Sequence, residues 1–259
     1  MKITSIANQK GGVGKTSTCV NLCAGMGLLD RKVLLIDMDP QSNSTSGLGV
    51  ERHSLEASVY DMLVDDVDFE KCVIPTQWKG VFVLPSTIDL AGAEIELVSV
   101  LSRETRLKRS LEGAVSAAEY DYIFIDCPPS LGLLTLNSLV ASDSIIIPIQ
   151  CEYYALEGLS QLTRTIELVR SHLNPSLLLD GLLLTMFDMR TRLSRDVADE
   201  VRSRFQDKVF QTTIPRNVRV SEAPSHGMPI QYYDSSSLGS TAYNKFATEV
   251  LSKCQNKEV

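Results

Sequence analysis

The segment KGGVGKT, Lys10 to Thr16, constrains this chain more than any other. It follows a short apolar run, Lys2–Ala7, that reads as a strand, and it opens Lys15–Leu28, which has the apolar spacing of a helix. A glycine-rich turn between a strand and a helix N-terminus is what a phosphate-binding loop requires. Gly11, Gly12 and Gly14, with Val13 between them, let backbone N–H groups turn inward and approach phosphate oxygens. The helix start, with Lys15, Thr16 and Ser17, adds partial positive charge. In that setting Lys15 reaches the β- and γ-phosphates and the Thr16 hydroxyl ligates Mg²⁺. The usual spacing is GxxxxGK followed by Ser or Thr, yet here Gln9 holds the first glycine position and Lys10 adds a second lysine. A lysine at the loop's start is awkwardly placed for its own phosphates. It predicts a reach toward the nucleotide of a facing subunit, as an arginine finger acts in trans.

The rest of the chain alternates strand-like and helical patterns. Strands are predicted at Lys2–Ala7, Lys32–Asp37, Val81–Pro85, Tyr122–Asp126, Ser144–Ile149, Gly181–Phe187 and Val209–Ile214. Helices are predicted at Lys15–Leu28, Leu90–Leu101, Thr105–Ala118, Leu133–Ala141, Ala155–Leu173, Ser194–Phe205 and Thr241–Cys254. Several strands are apolar on both faces, as buried parallel strands are. Gln41–Val50 and Ala57–Lys79 are irregular and predict loops or short helices. The expectation is an α/β fold: a doubly wound, mostly parallel sheet flanked by helices, in one domain over residues 1–259.

Two strands end in carboxylates. LLIDMDPQ supplies Asp37 and Asp39, and YIFIDCPP supplies Asp126. Ligands of doubly wound sheets bind at the carboxyl ends of strands, so these acids face the phosphate loop. Asp126 fits a Walker B carboxylate near Mg²⁺, Asp37 lies nearer the metal, and Asp39 is placed to orient the attacking water. A guanine-reading NKxD motif is missing: Asn244-Lys245 and Asn256-Lys257 lack the acid two places on. ATP is therefore the expected nucleotide.

No segment approaches the roughly 18 apolar residues that span a bilayer, and the N-terminus lacks the apolar core of a secretory signal. The chain reads as cytoplasmic. Its six cysteines form no CxxC pair, and Cys19 and Cys23, four apart on a helix, read as small apolar fillers.

Taken together, the loop with Lys10, DMDPQ at Asp37–Gln41 and IDCPPSLG at Ile125–Gly132 resemble the deviant-Walker ATPases of the ParA/Soj and MinD group, a branch of the P-loop NTPases. IPRNVRVSEAPSHGMPI, Ile214 to Ile230, is similar to the ParA/Soj partition branch. The resemblance covers nearly the whole chain. It implies an ATP-dependent homodimer, slow ATP hydrolysis, ATP-gated and non-specific binding of double-stranded DNA, and a ParB-type centromere-binding partner that stimulates hydrolysis. Carried over by residue, Lys10 acts across the dimer, Lys15 and Thr16 bind phosphate and Mg²⁺, Asp39 positions water, and Asp126 supports the metal. The base sits between Met186–Phe187 and the turn at Pro215–Asn217. The loop begins at residue 10, which leaves no room for the N-terminal helix-turn-helix of longer partition ATPases and favours the short form.

A net charge of −7 argues against a nucleic-acid partner until its distribution is considered. Residues 186–219 hold eight basic and five acidic side chains, a balance of +3, and the remainder carries −10. Arg190, Arg192 and Arg195 fall in this stretch with Arg219, and the resemblance makes Arg190 and Arg219 DNA contacts. A MinD-like, membrane-associated positioning ATPase is the alternative. It would need a basic amphipathic C-terminal helix, and Glu249 and Glu258 dilute Lys245, Lys253 and Lys257 there. Cys127 beside Asp126 raises a redox or cluster-carrying ATPase, weakened by the missing second cysteine.

Overall fold

Strands that are apolar on both faces need cover on both faces, and the helices between them supply it. The computed structural model describes residues 1–117, 119–152 and 155–255, leaving aside the side chains of 114–117, 155–160 and 255. Among the described residues, eight strands form one sheet: β1 Lys2–Ile6, β2 Val33–Asp37, β3 Ile74–Pro75, β4 Val81–Leu84, β5 Tyr122–Asp126, β6 Ser144–Gln150, β7 Leu178–Phe187 and β8 Val209–Pro215. Their spatial order is β3-β4-β2-β5-β1-β6-β7-β8. All neighbours run parallel except the β3–β4 pair.

The two-residue period of a strand divides its side chains between two cores. Leu34, Ile36, Ile123, Ile125, Ile145 and Ile147 point to one, where helices Arg106–Ala117 and Leu133–Ala141 pack. Val33, Leu35, Tyr122, Phe124 and Ile146 point to the other, beneath helices Lys15–Leu28 and Leu238–Gln255. This is the doubly wound arrangement that the alternating pattern predicts.

Local differences from the sequence reading have physical causes. β3 falls inside the stretch expected to be irregular. It is two residues long, antiparallel and at the sheet edge, where Pro75 is tolerated. β7 starts at Leu178 rather than Gly181, because Asp180 interrupts the apolar run but is satisfied by Lys2 Nζ and by Ser144 Oγ at 2.7 Å. The helix from Leu90 ends at Glu96 and tightens into a 3-10 turn over Leu97–Ser99. Ala118, predicted as a helix end, lies outside the described residues, as do Asn256, Lys257 and Glu258.

β1 lies between β5 and β6: the crossover from β1 goes past β5 to β2, whereas the crossover from β5 goes past β1 to β6, so the winding reverses at β1. The crevice outside the strand ends at such a switch point is where ligands of these sheets bind. Register sets the acids there: Asp126 lies level with Ile6 of β1 and with Asp37 of β2.

Candidate functional site

The phosphate loop leaves β1 and is held on both flanks. Asn8 Nδ2 donates to the Pro148 carbonyl at 2.8 Å, and its Oδ1 accepts the Lys10 N–H at 3.0 Å. Thr185 Oγ1 of β7 donates to the Val13 carbonyl at 2.8 Å. Gly12 at φ 74° and Gly14 at φ 88° occupy left-handed backbone that other residues rarely adopt. Gly14 caps helix Lys15–Leu28 without a side-chain bond, so the first N–H groups of that helix, at Lys15, Thr16 and Ser17, are directed into the crevice. Gly11 and Gly12 are exposed, while Val13 and Lys15 are buried. Lys15 Nζ donates to the Lys10 carbonyl at 3.3 Å. Burial holds its ammonium below the ordinary lysine range, against the pull of the Asp126 and Asp39 carboxylates. Lys10 behaves differently: its Nζ lies at the rim, 3.8 Å from Glu152 Oε2, with both side chains partly exposed.

Three carboxylates face the loop. Asp37 and Asp126 are fully buried, and Asp39 is 7% exposed. Burial, then the adjacent Asp126 carboxylate, pushes Asp37 up to about 7. Burial pushes Asp126 up to about 6, against the Ser44 hydroxyl bonded to it and the charge of Lys15. Their remaining capacity differs. Asp126 Oδ2 accepts from Ser44 Oγ at 2.7 Å, whereas its Oδ1 is buried without a hydrogen-bond partner. Asp39 Oδ1 accepts the Gln41 N–H at 2.9 Å. Cys127, next along, is a buried thiol that burial pushes up to about 12, so it is inert as a nucleophile.

Beyond the loop, Gly14, Ser17, Met186, Pro215 and Asn217 line one cavity of ≈ 420 Å³. Met186 is left-handed, at φ 51°, where β7 ends. The resemblance implies a base between Met186–Phe187 and Pro215–Asn217; Met186, Pro215 and Asn217 share this cavity beside the phosphate loop, whereas Phe187 lines the neighbouring cleft.

The basic stretch is less uniform than its count. The Arg190 guanidinium makes two hydrogen bonds to Asp188, at 2.9 and 2.8 Å, and its backbone N–H makes a third at 3.0 Å; together they hold that carboxyl down at about 2. Arg192 pairs with Asp196, and Arg219 with Glu222 and Asp234. Arg195 is exposed. Arg190 shares a cleft of ≈ 870 Å³ with Arg216 and Lys245, and Arg192, Arg195 and Arg219 lie outside its lining. In helix Leu238–Gln255, Tyr243, Phe246 and Val250 are buried in the sheet-facing core, so its apolar side is already occupied. No helix among the described residues is long and apolar enough to cross a membrane.

Sequence reasoning missed Ser44, Thr45 and Ser86, which hydrogen-bond around the two buried acids. The signal was present in SNSTS, Ser42 to Ser46, a hydroxyl run just past a strand-end carboxylate.

Comparison with known proteins agrees with this geometry. A family model described as an AAA domain matches residues 1–179. The sporulation initiation inhibitor protein Soj of Bacillus subtilis is 59% identical over 249 residues, covering 96% of this chain and 98% of that protein. The chromosome partitioning protein ParA of Myxococcus xanthus is 52% identical, covering 97% and 88%. Among solved structures, a cobyrinic acid a,c-diamide synthase from Mycobacterium smegmatis, with bound ADP and magnesium, superposes with a TM-score of 0.83 at 40% identity, covering 97% of this chain and 94% of that one. With a phosphate loop, its second lysine and paired strand-end acids on a doubly wound sheet, this chain belongs to the ParA/Soj family of chromosome-partitioning ATPases.

Proposed function

We propose that this protein is a DNA-partition ATPase whose hold on DNA is gated by ATP. The observation that carries the reading is the meeting, at one crevice, of an uncapped glycine loop, the buried Lys15 and a carboxylate with one open oxygen, Asp126 Oδ1. The loop's N–H groups and Lys15 bind the phosphates of ATP. The donor set fits Mg²⁺: the Thr16 hydroxyl and Asp126 Oδ1 are hard oxygen donors, and a buried oxygen without a partner is what a hydrated cation would satisfy. Asp37 supports the same site from the neighbouring strand. When bound, Mg²⁺ supplies charge neutralisation at the phosphate oxygens. Asp39 orients the attacking water, and Lys10 swings outward to the γ-phosphate held by a second copy. Adenine occupies the cavity between Met186 and Pro215–Asn217.

Two copies joined over their nucleotides set their basic surfaces along one duplex. Arg190, Arg192, Arg195 and Arg219 contact phosphates, which carry no sequence information. One copy engages few phosphates and dissociates, and pairing provides the avidity. Hydrolysis, slow in the isolated protein and stimulated by a ParB-type partner, separates the copies and releases the DNA. The protein is then cytoplasmic, and nucleoid-associated when loaded with ATP. The MinD-like reading loses support because the C-terminal helix uses its apolar residues internally.

Sedimentation velocity with ADP, ATP and a slowly hydrolysed analogue tests the gate. The expected result is a monomer with ADP and a dimer with ATP or the analogue. One sedimenting species under all three conditions would overturn the proposal.

A further inference from the structure

One short helix, Asn43–Gly47, touches both buried carboxylates. Ser44 Oγ donates to Asp126 Oδ2 at 2.7 Å. One residue on, Thr45 donates twice to Asp37 Oδ2, from its N–H at 2.8 Å and its hydroxyl at 2.7 Å. Thr45 Oγ1 in turn accepts the Ser86 N–H at 3.0 Å, and Asp37 Oδ1 accepts the Asp39 N–H at 3.2 Å. All four side chains of this bridge, Asp37, Ser44, Thr45 and Asp126, are fully buried.

The two acids are therefore left in different conditions. Asp37 has both oxygens engaged, by three donors. Asp126 has Oδ2 engaged and Oδ1 bare. A carboxylate pinned through one oxygen cannot rotate freely, so its other oxygen keeps a fixed aim.

We propose that Ser44 is a positioning residue for the divalent cation of the nucleotide complex. It holds Asp126 so that Oδ1 faces the cation's hydration shell, and Thr45, anchored on Asp37, holds Ser44 in register. Asp37 thus acts on the metal site through the helix that it anchors. The inference rests on the Mg²⁺–nucleotide reading above. Outer-shell partners of this kind change metal affinity by about 10–100-fold when removed.

The test uses Mn²⁺ as the probe, with free Mn²⁺ counted by electron paramagnetic resonance in the full-length protein saturated with ADP. Ser44→Ala is expected to need about tenfold more Mn²⁺ than wild type for half-saturation. ADP affinity measured in EDTA should stay within about twofold, a split that general loosening of the fold would not produce. Ser44→Cys, with a weaker donor at the same place, should fall between. A Mn²⁺ midpoint unchanged in both variants overturns the inference, as does an equal loss of metal-free ADP binding. Wild-type protein that binds no Mn²⁺ with ADP would instead overturn the metal–nucleotide reading beneath it.

Discussion

Lys10 offers the sharpest perturbation, because the structure sets what holds it back. Its Nζ lies 3.8 Å from Glu152 Oε2, with side chains 35% and 49% exposed. Two unit charges at about 4 Å in water attract by about 1 kcal/mol, and measured exposed pairs fall at or below that. Breaking the pair to reach outward therefore costs no more than about a factor of five. A charged donor aimed at the transition state is worth about 10²–10³ in rate, so the reach is favoured whenever a second site is in range. Lys10→Ala should keep folding stability within about 1 kcal/mol of wild type, since only a partly exposed pair is lost. Its stimulated turnover should fall by at least about 100-fold. Glu152→Gln frees Lys10 and should raise turnover by no more than about fivefold. The decisive assay mixes Lys10→Ala with Asp39→Ala chains before ATP is added. Each is inactive alone, but a mixed dimer has one site with Asp39 in place and Lys10 supplied from across. Random pairing makes half the dimers mixed, with one working site in two, so about a quarter of wild-type turnover should return. A mixture no faster than its separate components would refute the trans role.

Three further outcomes follow from the same geometry. Asp39→Ala should give an ATP-loaded dimer that persists on DNA, and elution as a monomer with ATP in sizing chromatography would count against it. Asp37 and Asp126 are pushed up to about 7 and about 6, so the metal-free fold keeps them protonated where the unfolded chain has already lost those protons. The contribution of these groups to stability is highest below about pH 4 and is lost as pH rises through about 7. Mg²⁺ requires the ionised form, so Mg²⁺–ADP should raise Tm more at pH 8 than at pH 6, with proton uptake by buffer on binding at pH 6. An equal Tm shift at both values would contradict this. Arg190→Glu and Arg219→Glu should weaken DNA binding without altering nucleotide binding. Asp188→Asn, which removes the negative charge and one of the two acceptor oxygens holding the Arg190 guanidinium, should tighten it, as read by fluorescence anisotropy of a labelled duplex.

Much of this molecule is legible from pattern alone. Strands buried on both faces announce themselves as unbroken apolar runs, and helix Leu133–Ala141 falls where its apolar spacing puts it. The phosphate loop is legible because glycine, lysine and threonine each answer a separate requirement. Less legible is whatever depends on partners distant in sequence. Asp180 looks like a break in a strand until Lys2 and Ser144 are seen beside it. Ser44 is an unremarkable serine until β5 brings Asp126 to it, 82 positions away. The basic count of 186–219 likewise overstates the free charge, since Arg190, Arg192 and Arg219 each have an acid at hand. Charge totals do not record pairing.

The central claim is that nucleotide state decides whether the protein holds DNA. A labelled, non-specific duplex titrated with the full-length protein in ADP, ATP and a slowly hydrolysed analogue, at about 50 mM and about 200 mM salt, tests it most directly. Binding should be tight with ATP and the analogue, weak with ADP, and should fall steeply between the two salt concentrations. Equal affinity in ADP and ATP, or affinity indifferent to salt, would contradict the account.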